Sequence, residues 1–541
     1  MAAGWTNGWN LADMWEHHAD RFPEAPAQVE GDRRFTWADF DRRADGVAAA
    51  LLEARPEKQD KVAHYLYNCA EFLESMFGMF KAGLVPVNTN YRYTDEELVY
   101  LWSNADAVAV VFHGTFAERV DHVRDRVPGV RLWLWVDDGS GPCPQWAVPY
   151  EQVATAGRER VQAPWGRSGD DLYMLYTGGT TGMPKGVMWR QDDIVMNLEA
   201  GARVPLAEQP SPEALAQRVT KPGPVGLPAA PLMHGTGAFN SINILMLAGC
   251  VVTLEERHFD PVALLDAVQR EKVTSMSIVG DAFAKPILRA LDAEPRRWDV
   301  SSLRVMVSSG VMWSADTKAG LLRHMPRLLM IDSLGSSEAI GMASSQTSAD
   351  SGAETAKFRL SANTRVVTED GRDVVPGSDE IGRVALKGRT PLGYYKDAAK
   401  SAATFVVIDG VRYSIPGDWA TVEADGAVKL LGRGSQSINT GGEKVYPEEV
   451  EESLKQHPSI HDAVVVGVPD DRFGEAVTAL VELEAGAELD EAAVIGHVKA
   501  HLAAYKAPKR VLAIASIGRA ANGKVDYKRL KGEALERLGL A

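Results

Sequence analysis

The sequence predicts an α/β protein: a large N-terminal domain of mixed sheets flanked by helices, residues 1–434, then a small mobile α+β domain, residues 435–541. Three observations carry this reading. Short apolar runs alternate with helical stretches through the first several hundred residues, the pattern of largely parallel sheets covered by helices. Beyond residue 434 the pattern changes to valine-rich strands with a few separate helices. Between the two, Gly432 and Gly434 flank Arg433, and two glycines so close permit a large backbone rotation. A chain of 541 residues is also too long for one compact domain.

Each element has a local cause. Residues 10–22 place apolar side chains at helical spacing. Thr36 is a suitable N-cap for a helix running through Phe40 to Leu52. Residues 61–67 read as a strand, 71–82 as a helix ended by Gly83, and 84–88 as a second strand. Residues 107–112 and 131–136 continue the alternation. The Pro-rich stretch 205–226 and the polar stretch 344–357 read as surface connections. In the small domain, 463–468 and 479–483 are strands and 447–456 and 490–503 helices. The first of these helices opens with Pro447, Glu448 and Glu449, residues that a helix N-terminus favours.

Composition narrows the function classes. A net charge of −15 argues against nucleic acid as a partner, because neutralising phosphates takes a basic face. The three cysteines, Cys69, Cys143 and Cys250, lie far apart, without metal-ligand spacing or the even count of a disulfide framework. They read as free thiols of a cytoplasmic protein. The N-terminus lacks a basic-then-apolar signal pattern, and no apolar run approaches the ~20 residues of a membrane span. Peripheral membrane contact and homodimer formation stay open.

The richest segment is 176–189, Tyr-Thr-Gly-Gly-Thr-Thr-Gly-Met-Pro-Lys-Gly-Val-Met-Trp. It follows an apolar run, 171–176, that reads as a buried strand. Glycines bring the backbone close to a ligand, threonines add hydroxyls and Lys185 adds a cation, so the loop suits a polyphosphate. It is not the common P-loop: Gly186 follows Lys185 where that motif has Ser or Thr for Mg²⁺. Further segments repeat the combination of glycine, hydroxyl and charge. They are Pro-Leu-Met-His-Gly-Thr-Gly at 231–237, Val-Ser-Ser-Gly at 307–310 and Asp-Ser-Leu-Gly-Ser-Ser-Glu at 332–338. Gly417-Asp418, Gly-Arg-Gly-Ser at 432–435, Ile-Asn-Thr-Gly-Gly-Glu-Lys at 438–444 and Asn-Gly-Lys at 522–524 complete them.

Taken in order, these segments resemble the adenylate-forming superfamily of acyl-CoA synthetases, luciferases and peptide-synthetase adenylation domains, over essentially the whole chain. The phosphate loop, Asn-Thr-Asn-Tyr-Arg-Tyr at 88–93 and the 432–444 segment are most similar to bacterial fatty-acyl-CoA synthetases, near the actinobacterial branch with steroid side-chain CoA ligases. The resemblance implies ATP and coenzyme A as co-substrates with Mg²⁺. It makes Thr177, Gly178, Gly179, Thr180, Thr181, Gly182 and Lys185 the grip on the phosphates. Ser309 and Gly310 would lie at the adenine edge, in a loop whose main-chain groups read the base. The segment of Asp332, Ser333, Leu334, Ser337 and Glu338 joins the nucleotide site, with Glu338 on the metal. Ser337 replaces a usual threonine, and Leu334 stands where an aromatic ring commonly stacks on adenine.

The same resemblance gives Asp418 the ribose hydroxyls and Arg433 the ribose or phosphate. Ser435 takes the hinge position, where relatives often carry Asp or Lys. Gly441, Gly442 and Lys444 belong to the segment that swings in to line the pantetheine tunnel. Lys524 becomes the catalytic lysine at the carboxylate and α-phosphate. His234, Gly235 and Gly237 would line the acyl pocket. Gly235 stands beside His234 where amino-acid-activating relatives have an aspartate, which favours a plain carboxylic acid.

The expected reaction forms acyl-AMP from a carboxylic acid and ATP, then acyl-CoA. A medium- or long-chain fatty acid is the first expectation, a steroid or branched side-chain acid the second, a small aryl acid the third. Two rival readings remain: transfer of the acyl group to a carrier protein or an amine, and a non-catalytic acyl or nucleotide sensor. At Gly237 and Gly280 room for a bulky acyl tail and a purely backbone requirement are both open.

Overall fold

The computed structural model describes residues 5, 7–157, 159–177, 183–200, 202, 204–311, 313–351, 357–433, 438–440, 443–470, 474–502, 504–520, 523 and 525–540, with side chains left out at 433, 439, 443 and 444. The chain forms two compact units. One takes in Met1–Thr355, Lys387–Val407 and Arg412–Ser414; the other takes in Ala356–Leu386, Ile408–Val411 and Ile415–Ala541.

The first unit is built on two sheets. One is eight-stranded, in the order Gly393–Tyr394, Lys185–Arg190, Leu172–Thr177, Val85–Asn88, Lys61–Tyr65, Ala107–His113, Leu132–Val136 and Val148–Pro149. Its strands from Leu172–Thr177 onward run parallel, and the first two are antiparallel additions. The other sheet carries Pro26–Glu30, Cys250–Thr253, Val225–Pro228, Ser275–Ile278, Val305–Ser309 and Leu329–Ser336 in parallel, joined by antiparallel Arg33–Thr36 and Ala339–Thr347. The mixed α/β reading therefore holds.

Local chemistry sets the helices between these strands. Thr36 caps Trp37–Glu53 in a reciprocal box with Asp39. Asn10 caps Leu11–Arg21 through its side-chain oxygen. Ala70–Lys81 ends just before Gly83, whose φ of 65° suits glycine. Their inner faces fill a core of Trp15, Trp37, Phe40, Phe77 and Phe80 on one side of the eight-stranded sheet; a second core of Tyr65, Trp102 and Phe112 lies on the other.

Two stretches expected as connections are partly regular. Pro212–Arg218 is a helix: Ser211 accepts from Ala214 N, Pro212 occupies its first turn and Leu215 is buried. Strand Ala339–Thr347 runs into the polar stretch because its pairing with Leu329–Ser336 satisfies the backbone there.

The second unit holds a five-stranded sheet of Glu443–Val445, Ile438–Thr440, Gly474–Leu483, Ile460–Asp470 and Arg510–Ala513 with helices Pro447–Lys455, Glu491–His501 and Tyr527–Leu538. Antiparallel strands Asp418–Val422 and Val428–Arg433 belong to the same unit, where Lys429 reaches Glu449 of the first helix at 3.3 Å. All three cysteines are free.

Candidate active site

The segment expected to grip phosphates is a hairpin. Strand Leu172–Thr177 is apolar and buried, and it pairs antiparallel with Lys185–Arg190 so that Thr177 faces Lys185 across the mouth. Gly178, Gly179, Thr180, Thr181 and Gly182 lie outside the described residues. Gly186 has a packing reason: a Cβ there would come within 2.7 Å of Met174 Sδ and the Tyr176 ring.

Asn88, buried at the end of its strand, fixes where the hairpin begins. It accepts from Tyr176 N at 2.6 Å and donates to Tyr176 O at 2.9 Å and Met233 O at 2.7 Å. One amide thus ties the phosphate strand to the 231–234 segment. Asn68 holds that segment from the other end, donating to Pro228 O and Ala230 O and accepting from Leu232 N. His234 then takes the N-cap position of helix Gly235–Met246.

Gly235 lies against Phe239 and Leu175, each 3.3–3.4 Å from an added Cβ. At Gly237 an added Cβ would fall 2.3 Å from Pro231 O. Gly280 has a φ of 50° and donates its N–H to Ser308 Oγ at 2.9 Å. Each of these last two glycines thus has a backbone reason to be glycine.

Glu338 sits in the turn joining Leu329–Ser336 to Ala339–Thr347 and is 9 % exposed. Trp189 Nε1 donates to Ser337 O at 2.8 Å, and Ser414 Oγ donates to Glu338 O at 2.7 Å. Its side-chain Oε1 accepts from the Tyr394 hydroxyl at 2.7 Å. Tyr394 belongs to a short segment laid along the phosphate hairpin. Leu392 N bonds Met188 O, Tyr394 faces Val187, and Tyr395 N bonds Gly186 O. Three residues further on, Asp397 is ion-paired with Lys185 and accepts from Lys400 N at 2.9 Å. The hydrogen bond from Lys185, then the Lys400 N–H, hold the Asp397 carboxyl below the usual aspartate range. Neither Tyr394 nor Asp397 stood out in the sequence, although Gly-Tyr-Tyr-Lys-Asp at 393–397 is a compact polar motif.

The adjoining strands bring further candidates together. Ser309 pairs with Ser333, and Gly310 follows with a φ of 89°. Leu334 is 8 % exposed on its strand. Asp332 lies next to Lys318 Nζ at 3.3 Å, and burial lifts its carboxyl to about 6 against the pull of that cation.

In the second unit Asp418 is buried and faces Arg433 across an antiparallel pair, with Gly417 and Gly432 at φ of 106° and 107°. Lys444 pairs with Asn439 along the backbone. Ser435, Gly441, Gly442 and Lys524 lie outside the described residues. The neighbours of Lys524 are anchored. Arg519 binds Asp462 at 2.6 and 2.9 Å and donates to Gly523 O at 3.1 Å, while Tyr527 donates to Glu451 at 3.0 Å.

Residues 15–395 match the family described as AMP-binding enzyme, and residues 449–524 match the AMP-binding enzyme C-terminal domain. The chain belongs to the AMP-binding enzyme family. This AMP-binding enzyme is 40% identical to a medium/long-chain-fatty-acid–CoA/3-oxocholest-4-en-26-oate–CoA ligase of Mycolicibacterium smegmatis, over 98% of this chain and 97% of the relative. It is also 40% identical to a 3-oxocholest-4-en-26-oate–CoA ligase of Rhodococcus rhodochrous, over 97% and 96%. Its fold is that of the anthranilate CoA ligase AuaEII in complex with anthranoyl-AMP (TM-score 0.82, 22% identity, 98% of both chains). ATP-bound MatB from Rhodopseudomonas palustris is similar as well (TM-score 0.79, 26% identity, 97% and 99%). Among the described residues of this AMP-binding enzyme, no helix is long and apolar enough to cross a membrane.

Proposed function

We propose that this AMP-binding enzyme is an ATP-dependent acyl-CoA synthetase acting on a medium- or long-chain fatty acid or a bulky, steroid-like carboxylic acid. The observation that carries the reading is the 40% identity, over nearly the full length of both chains, to ligases named for those acids.

In the first half-reaction the carboxylate attacks the α-phosphorus of ATP and pyrophosphate leaves. Thr177, the 178–182 loop and Lys185 hold the departing phosphates; Asp418 holds the ribose, and Arg433 the ribose or a phosphate. Mg²⁺ fits the donor set: the Glu338 carboxylate is held through Oε1 by the Tyr394 hydroxyl, and this ion usually takes one or two carboxylates plus substrate phosphates. Glu338 would be that carboxylate, and the ion would neutralise charge building on the leaving group. Lys524 orients the reacting carboxylate, so the rate gain comes from positioning and electrostatics. In the second half-reaction the thiol of coenzyme A displaces AMP, served by the segment of Gly441, Gly442 and Lys444, with Ser435 as the pivot between residues 1–434 and 435–541. A cytoplasmic location belongs to the same proposal.

The test supplies purified protein with Mg·ATP and a panel of acids, with coenzyme A or an amine as acceptor. Pyrophosphate release that depends on a fatty or steroid acid, and an acyl-CoA product, are expected. Absence of acid-dependent ATP–pyrophosphate exchange, or an amine preferred over coenzyme A, overturns the reading. Lys524→Ala should cripple acyl-AMP formation and largely spare thioester formation from supplied acyl-AMP; equal loss of both counts against its role.

A further inference from the structure

Glu338 has its backbone fixed on both sides. Trp189 Nε1 holds the carbonyl before it and Ser414 Oγ holds its own carbonyl. Backbone fixing does not orient a glutamate carboxylate, which still turns about three side-chain bonds. Ordering such a side chain costs conformational entropy. The Tyr394 hydroxyl on Oε1 at 2.7 Å supplies that orientation.

Tyr394 is itself rigid. The residue is 6 % exposed and its ring packs against Phe405 with centroids 5.7 Å apart. Its backbone N–H donates to Ser401 Oγ at 2.8 Å, and its strand pairs with Lys185–Arg190. A phenol is a neutral donor, so it fixes the carboxylate without cancelling its charge. It uses one of about four lone-pair sites and leaves others for a hard cation. The segment that delivers Tyr394 ends at Asp397, which is ion-paired with Lys185.

We propose that Tyr394 is the positioning residue for Glu338, presetting its carboxylate for the metal ion of Mg·ATP through the hydroxyl bond to Oε1. This rests on the adenylation reading, because Glu338 is the metal carboxylate only there. The hydroxyl acts on metal-bound nucleotide and not on nucleotide alone.

The experiment titrates full-length Tyr394→Phe with ATP by calorimetry, once with excess Mg²⁺ and once in EDTA. The Phe variant keeps the ring and loses only the hydroxyl. Mg·ATP affinity should fall about 10- to 150-fold, the range for a hydrogen bond to a charged group, while metal-free ATP affinity stays within about twofold. Glu338→Gln should show the same selectivity, and Tyr394→Phe should add nothing in the Glu338→Gln background, since one acts through the other. Unchanged Mg·ATP affinity in Tyr394→Phe, an equal fall in EDTA, or additive losses in the double variant would overturn the proposal. Acid-dependent exchange by the unaltered enzyme is the separate check on adenylation. Its absence removes that reading, while the binding titrations still decide Tyr394.

Discussion

Lys185, the cation at the mouth of the phosphate hairpin, is ion-paired with Asp397, which also caps helix Ala398–Thr404. The two side chains are about one-third exposed, 34 % and 28 %, so water and incoming anions reach the pair. On the proposed adenylation reading, polyphosphate and Asp397 are then alternative partners for one ammonium group.

Asp397→Asn removes the competing charge and keeps an oxygen that can cap the helix. The KM for ATP should fall a few-fold, because the nucleotide no longer displaces an ion pair or faces a nearby carboxylate. Lys185→Ala should raise it by about tenfold or more, the loss of a charge-assisted contact. Steady-state kinetics at varied ATP measure both, and a raised KM in Asp397→Asn would sink the competition argument. The gain should shrink at high salt, since the pair is exposed.

Gly237→Ala separates packing from pocket shape. The new Cβ would meet Pro231 O at 2.3 Å and Ala230 O at 2.7 Å, both backbone atoms of the segment that leads into helix Gly235–Met246. Overpacking of this kind costs about 1–3 kcal/mol. The expected result is a lower thermal midpoint with kcat/KM reduced by a similar factor for short and long acids. A loss confined to the longest acids would instead make Gly237 part of the acyl pocket wall.

What the sequence made legible is local. The Thr36 cap, the stop at Gly83 and the buried strand before the phosphate loop each depend on neighbours within a few residues. The contacts that shape the site span far more chain: 145 residues from Asn88 to Met233, 56 from Glu338 to Tyr394 and 212 from Lys185 to Asp397. They exist because strand order sets Gly393–Tyr394 beside Lys185–Arg190, and Val85–Asn88 beside Leu172–Thr177. No periodicity encodes that order. The missed helix Pro212–Arg218 is a different case. Ser211 and Pro212 form a helix start, and the surrounding prolines concealed it.

Acid sensitivity can be traced to His64, whose strand residue pairs with Asn88. His64 is fully buried, stacks on Phe72 at 4.4 Å and bonds Ser75 Oγ at 2.9 Å through Nε2. The Ser75 hydroxyl donates to Glu71 O at 2.6 Å, so the neutral ring supplies the proton of the His64 bond. Burial pushes the imidazole from its ordinary 6.5 to about 3. Above pH 6.5 both folded and unfolded chains hold it neutral and it has no effect on stability. As pH falls from 6.5 toward 3 only the unfolded chain takes the proton, so stability is lost at about 1.4 kcal/mol per pH unit. His18, at about 3, and His113, at about 4, act in the same direction. Glu30 and Glu74, raised by burial to about 7, act oppositely: their contribution is complete below about 4.5 and is lost as pH rises through 7. The raw pH profile therefore blends opposed terms, and His64→Gln isolates one. Urea unfolding from pH 8 to 4.5 should show the variant less stable at pH 8, with the gap to the unaltered protein constant down to about 6.5. Below that the gap should narrow by about 1.4 kcal/mol per unit. Parallel profiles over the whole range would mean that His64 titrates alike in both states, contrary to its burial.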